Sequence, residues 1–225
     1  MMGVSKNGGS PRYLRGLPPS YGYMARYIPK VFYQGTYSHI YNRGNGKQKI
    51  FLDRTDYIFY LKKLREFKQK QKVSIICYCL MPNHIHLLIR QDSEIPIYKF
   101  VLSLHTSYSM YYNKKYDRVG HLFQGRFKQK NITEDEYLLQ LAGYIHLNPV
   151  IDKLIEKAED YQWSSYPDYV GLREGTLCDK EPVLLGRGSE EYKQIIEQEA
   201  MEKLAIKELN GGSPRYWRGL PPYLL

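Results

Sequence analysis

The chain has 225 residues, 43% of them apolar, and a formal net charge of +10 at pH 7, which suits one domain with tails or two very small domains. No apolar run approaches the ~18 residues of a membrane span, and the three cysteines form no C-x-x-C pair of the kind that zinc or redox chemistry uses. A basic chain with a pI near 9.3 favours a polyanionic partner, nucleic acid being the usual one.

The two ends carry a repeat: NGGSPRYLRGLPP from Asn7 to Pro19 returns as NGGSPRYWRGLPP from Asn210 to Pro222, differing only at Leu14 and Trp217. Both copies are rich in Gly, Pro and Arg without helical or strand period, so residues 1–23 and 210–225 read as flexible basic tails. The opening MMGVSKNGGSPR lacks the apolar core of a signal peptide, and a cytoplasmic address is expected. Between the tails, strand and helix patterns alternate. TYSHIYN (Thr36 to Asn42) reads as a first strand, closed by the Arg43-Gly44-Asn45-Gly46 turn. Asp53 or Thr55 caps a first helix with an apolar stripe of Tyr57, Leu61, Leu64 and Phe67. KVSIICYCL is a second strand of β-branched and aromatic residues. The Met81-Pro82-Asn83 turn leads into a third strand, HIHLLIR, and so short a connection implies an antiparallel hairpin.

IYKFVLSLHTSYSMYYNKKY is a second helix and HLFQGRFKQKNI (His121 to Ile132) a fourth strand. A third helix, TEDEYLLQLAGYIHLN, starts at a Thr133/Glu136 capping box and stops at Pro149. The β-α-β-β-α-β order is that of an α+β, ferredoxin-like fold, a mainly antiparallel sheet with helices packed on one face. Both RNA-binding modules and enzymes use this plan, so it assigns no function. A further helix follows Ser189.

His84 and His86 lie two apart in a strand and therefore project from the same face, where two imidazoles can chelate one metal ion. An isolated H-x-H is equally read as surface or packing residues. Here the pair follows a tight turn inside an otherwise apolar strand. Tyr144 and Asn148 sit four apart on the third helix, on one face. A tyrosine with a polar ligand one turn later suits attack on a metal-held phosphodiester. The same residues also allow Tyr144 to pack on the sheet while Asn148 caps the helix. Alternation along the fourth strand gathers Gln124, Arg126, Lys128 and Lys130 into a row that can track a phosphate backbone, with His121 opening it; a solvated edge strand carries lysines too. His39 and His105 read as polar surface or satisfied core residues, and His146 as facing away from Tyr144.

Several motifs in order resemble the IS200-like single-tyrosine transposases of the HUH (His-hydrophobe-His) endonuclease superfamily, and within them the group associated with repetitive extragenic palindromes (REP). They are YNRGNGKQKIF (Tyr41 to Phe51), MPNHIHLL (Met81 to Leu88), GHLFQGRFK (Gly120 to Lys128), YIHLNPV (Tyr144 to Val150) and YQWSSYPDY (Tyr161 to Tyr169). The resemblance implies a transposase domain over residues 24–175, a helical extension over 176–209, and binding of hairpin-forming single-stranded DNA by a monomer or homodimer. It implies that His84, His86 and Asn148 hold one Mg²⁺ or Mn²⁺ and that Tyr144 attacks to leave a 5′-phosphotyrosine. Arg43 joins His121, Gln124, Arg126, Lys128 and Lys130 as expected DNA contacts. Because imidazole prefers softer ions than Mg²⁺, the site is expected to be weak and open. The terminal repeats fit translation of DNA copies flanking the gene. Two other readings remain: a domesticated binding module of the same fold, and a water-using metallohydrolase, for which the chain offers no clear set of extra carboxylates and histidines.

Overall fold

In the computed structural model of the chain the described residues are 33–132 and 136–209; both terminal repeats and the Thr133 capping position lie outside them. Strand β1 spans Tyr37–Arg43, helix α1 Arg54–Gln71, β2 Val73–Met81, β3 His84–Gln91, α2 Ile97–Lys115, β4 Lys128–Ile132 and α3 Glu136–Ile151. Two short helices, α4 (Tyr166–Tyr169) and α5 (Glu181–Leu184), precede the long α6 (Ser189–Leu209). The strands form one antiparallel sheet in the order β2-β3-β1-β4, the ferredoxin-like arrangement expected. Among the described residues no helix is long and apolar enough to cross a membrane.

Local chemistry sets the element ends. Asp53, rather than Thr55, caps α1: its carboxylate accepts from the amides of Thr55 and Asp56, while Asp56 reaches back to the amide of Asp53. The helix buries Tyr57, Tyr60 and Leu64 and ends at Lys72 in the left-handed conformation, φ +50°. Asp56 is fully buried and bonded to the Lys115 ammonium at 2.7 Å and the Tyr116 hydroxyl at 2.8 Å. The start of α1 is thereby pinned to the end of α2.

Period-2 alternation sends the strand residues into two separate cores. Ile40, Leu80, Ile85 and Leu87 meet Tyr60, Phe100 and Tyr108 under α1 and α2. Ile76, Cys79, Met81 and Leu88 meet Leu141, Ile145 and Tyr192 on the opposite face. Both helices inside the β-α-β-β-α-β unit thus share one face, as expected, and α3, which follows the unit, covers the other. A bulge between Ile75 and Cys77 resets the alternation of β2, so that Ile76, Cys77 and Cys79 all enter the second core. The three cysteines are free.

Two expected boundaries change. The fourth strand begins at Lys128 instead of His121. Gly120 at φ +92° and Gly125 at φ +70° bend the preceding segment, which instead follows the end of β1 through amide bonds from Asn45 to the Leu122 carbonyl and from Gln124 to the Arg43 carbonyl. Helix α3 runs through Pro149 to Ile151. Proline removes the donor that the Ile145 carbonyl would receive. The Asn148 side-chain amide turns back onto the same turn, donating to the carbonyl of Tyr144 at 2.7 Å and only distantly, at 3.5 Å, to that of Ile145.

The outer edge of β2 is covered by the segment that follows α3. The Leu80 amide donates to the Trp163 carbonyl, Ser165 to Tyr78, and Asp179 to Ile75. The hydroxyls of Tyr161 and Tyr169 close further carbonyls, those of Leu80 and Ile76, each at 2.8 Å. This is the structural role of the YQWSSYPDY stretch: it caps a sheet edge that would otherwise be open to pairing.

Candidate active site

The second face of the sheet gathers the candidate residues. Register pairs Tyr41 with His86 and Arg43 with His84 across β1 and β3, so the imidazoles project beside one another, their ring centroids 5.1 Å apart. Tyr144 on α3 comes down over the pair, its ring edge-on to His86 at 5.6 Å and to His39 at 6.1 Å. His84, His86, Tyr144 and Asn148, which lie some sixty residues apart in sequence, therefore meet in one place.

Each histidine has its Nδ1 engaged, and His84 also bonds the Asn148 side chain. His84 Nδ1 donates to the Asn83 side-chain oxygen at 2.7 Å, and His86 Nδ1 lies 3.0 Å from His39 Nε2. The Nε2 atoms are what remains for a ligand. Burial lowers the pKa of both imidazoles, His86 well below the usual value, with the neighbouring histidines adding to the shift. Both rings are thus neutral near pH 7, the state in which imidazole binds a metal. For His84 the lowering is opposed by Asp152 and by the Asn148 side chain. Asn148 is buried, and with its amide nitrogen turned to backbone carbonyls its oxygen, which accepts from His84, is the atom it can offer an ion. Among the described residues no group of three or more His, Cys, Asp or Glu side chains can hold an ion. Two imidazoles and one amide oxygen nonetheless form a donor set that fits a weak, open divalent site completed by water. Burial, with the Asp152 carboxylate next, pushes the Tyr144 phenol up to about 12, and Asn148 opposes the rise.

The expected DNA contacts distribute unevenly. Arg43, next to His84, is exposed, and its Nε bonds the side-chain oxygen of Gln124. His121, Gln124, Arg126 and Lys128 are exposed, but His121, Gln124 and Arg126 lie in the bent segment before β4, so the single four-residue row expected from alternation does not form. Lys128 and Lys130 do share a face, opposite Tyr41 and His39. The Lys128 ammonium lies 5.8 Å from the Tyr41 ring centre, whereas that of Lys130 is screened from solvent.

Sequence reasoning missed His39, Tyr41 and Asp152. Alternation in TYSHIYN puts His39 and Tyr41 on one face, but only the pairing of β1 with β3 brings that face to the histidine pair. His146, by contrast, faces away from Tyr144 as expected. It is buried between the Tyr192 hydroxyl and Ser165 Oγ, each at 2.8 Å, and ties α3 to α6.

Comparison with known proteins adds a family and a fold. The family model described as "Transposase IS200 like" matches residues 32–148. Among solved structures, a REP-associated tyrosine transposase bound to a REP hairpin superposes with a TM-score of 0.54 at 14% identity, covering 67% of this chain and 95% of that one. That likeness establishes a shared fold. A putative transposase from Deinococcus radiodurans matches at 17% identity with a TM-score of 0.38, covering 52% of this chain and 92% of its own. The tRNA(His) guanylyltransferase of Saccharomyces cerevisiae matches at 11% with 0.40, covering 87% and 86%. No curated protein matches the chain.

Proposed function

The chain belongs to the IS200-like transposases, and from that premise we propose that it cleaves and rejoins hairpin-forming single-stranded DNA through a covalent 5′-phosphotyrosine on Tyr144. In this reading His84, His86 and Asn148 hold one Mg²⁺ or Mn²⁺. Residues 24–175 form the catalytic domain, 176–209 a helical extension, and 1–23 and 210–225 the tails. The observation that carries the reading is the convergence of a neutral histidine pair, Asn148 and Tyr144 on one sheet face, with Tyr144 and His86 rings 5.6 Å apart. The REP hairpin held by the similar transposase supports the choice of DNA form.

When bound, the ion supplies a Lewis acid for the scissile phosphate and stabilises charge on the attacking oxygen. The chain's residues do the rest. The Tyr144 phenol, held protonated at neutral pH by burial, loses its proton as its oxygen bonds to phosphorus. The bond from phosphorus to O3′ breaks, and the departing oxygen takes up a proton as a free 3′-hydroxyl. One phosphodiester replaces another, so a second 3′-hydroxyl can reverse the step and join new ends. Arg43 and Gln124, beside His84, and the exposed Arg126, Lys128 and His121 offer donors to the backbone of the strand. Lys130 adds charge from within the same face.

The test is incubation of the protein with a single-stranded hairpin oligonucleotide and Mn²⁺, read as a protein–DNA adduct on a denaturing gel. Tyr144→Phe is expected to give no adduct, and removal of the ion by EDTA the same. His84→Ala is expected to reduce the adduct by roughly 100-fold or more, since losing a ligand costs at least as much as losing a group that orients one. Cleavage that survives Tyr144→Phe would overturn the covalent mechanism. Tight hairpin binding by the wild type without cleavage would establish a binding module instead.

A further inference from the structure

His39 is 3% exposed, lies on β1 facing the second core, and stacks on His86 with ring centroids 5.2 Å apart and planes 20° from parallel. Its Nε2 is 3.0 Å from His86 Nδ1, and its Nδ1 has no hydrogen-bond partner among the described residues. Two neutral imidazoles share one hydrogen bond, so one proton arrangement excludes the other. If His39 Nε2 carries the proton, His86 accepts at Nδ1, bears its own proton on Nε2, and has no lone pair to offer an ion. If His86 Nδ1 carries it, His39 accepts at Nε2 and the lone pair of His86 Nε2 is free.

We infer that His39 is a positioning residue for the metal-binding pair, accepting the Nδ1 proton of His86 and so fixing the His86 tautomer whose Nε2 can bind a divalent ion. This rests on the metal-site reading of His84 and His86 above. Asn83 does the same for His84 through its side-chain oxygen, but from a turn next to its own histidine. His39 reaches across from another strand. Hydrogen bonding of the second ring nitrogen is a general requirement for a well-oriented histidine ligand. The arrangement has a built-in cost. In the ion-binding form His39 Nδ1–H is a buried donor without an acceptor, whereas the competing form leaves only a bare acceptor, which proteins tolerate better. The ion must therefore draw the pair into its ligating form, which lowers the affinity expected of the site.

The experiment uses the full chain and Mn²⁺ binding followed by electron paramagnetic resonance. His39→Phe keeps a ring of similar size and removes the acceptor; His39→Gln restores a carbonyl oxygen near the lost Nε2. His39→Phe is expected to weaken Mn²⁺ binding roughly 10- to 100-fold, and His39→Gln to stay within about threefold of wild type. Nitrogen-15 NMR of the wild type with Zn²⁺ as a diamagnetic probe should find the His86 proton on Nδ1 and the ion on Nε2. A hydrogen-bond coupling between the His86 Nδ1 proton and His39 Nε2 in the same spectra, whose absence would overturn the inference, decides the matter even if His39→Phe does not fold. Wild-type Mn²⁺ affinity in a His39→Phe protein that melts normally would overturn the inference, as would Zn²⁺ ligation through His86 Nδ1. His84→Ala separates the two levels. If it binds Mn²⁺ as well as wild type, the metal-site reading itself fails. If it alone loses binding and His39→Phe does not, only the role of His39 fails.

Discussion

His105 is buried in α2 with its ring stacked on Phe123, centroids 4.3 Å apart, and its Nε2 finds no hydrogen-bond partner among the described residues. Burial lowers its pKa to about 3, so it stays neutral in the folded protein while the unfolded chain takes up a proton near the ordinary value. Between those values the unfolded state binds more protons, and stability is present in full above the ordinary pKa and lost as pH falls. By about pH 5.5 the loss from this one residue is about 1.4 kcal/mol. His105→Phe, which keeps the stacked ring, is expected to flatten the decline by about that amount between about pH 7.5 and about pH 5.5, measured by urea unfolding. An unchanged pH profile would mean that His105 is not buried as a neutral group. The histidines of the candidate site show what a sequence reveals at this scale. His84 and His86 were legible because strand period is a local property, and Tyr144 and Asn148 because helix period is. His39 was not: its role comes from the strand opposite, and nothing in TYSHIYN states which strand that is.

Helix α3 is wedged between the sheet and α6, and Gly143 is where the second contact is closest. A Cβ there would meet Glu199 Oε2 and the Ile196 Cδ1 methyl at 2.8 Å. Gly143→Val is expected to destabilise the fold by about 1–3 kcal/mol through overpacking, seen as a lower thermal midpoint. Wild-type stability in this variant would show that α6 does not hold α3 at that point. The elements themselves were mostly readable, since hairpin, caps and stripes are short-range signals. The two misplaced boundaries came from effects that a pattern does not carry. Alternation in HLFQGRF mimics a strand, but glycines at φ +92° and φ +70° turn the chain along the end of β1 instead. Pro149 signals a helix stop, but the helix continues to Ile151, with the Asn148 side chain turned back onto the carbonyl of Tyr144 in the turn that the proline leaves a donor short. The second helical layer was invisible for a different reason: which face α3 covers is decided by packing against β2, not by its own sequence.

For the whole molecule, the pairing of Tyr144 with the histidines of its own sheet makes a prediction about subunits. An equal mixture of Tyr144→Phe and His84→Ala chains is expected to form no more DNA adduct than either alone on a denaturing gel, because each chain contributes its own tyrosine to its own pair. Restored adduct would mean that the tyrosine helix is exchanged between chains. The same architecture bears on how the two chemical steps follow one another. The sheet grips α3 on one side, and on the other the His146–Tyr192 and His146–Ser165 bonds tether it to α6 and to the cap of β2. A nucleophile mounted this way is, in the proposed chemistry, an anvil rather than an arm, held from both sides of its helix. Under the proposed chemistry, the travelling must be done by the nucleic acid, whose flexible single strand pivots about a stationary attachment until the joining 3′-hydroxyl arrives.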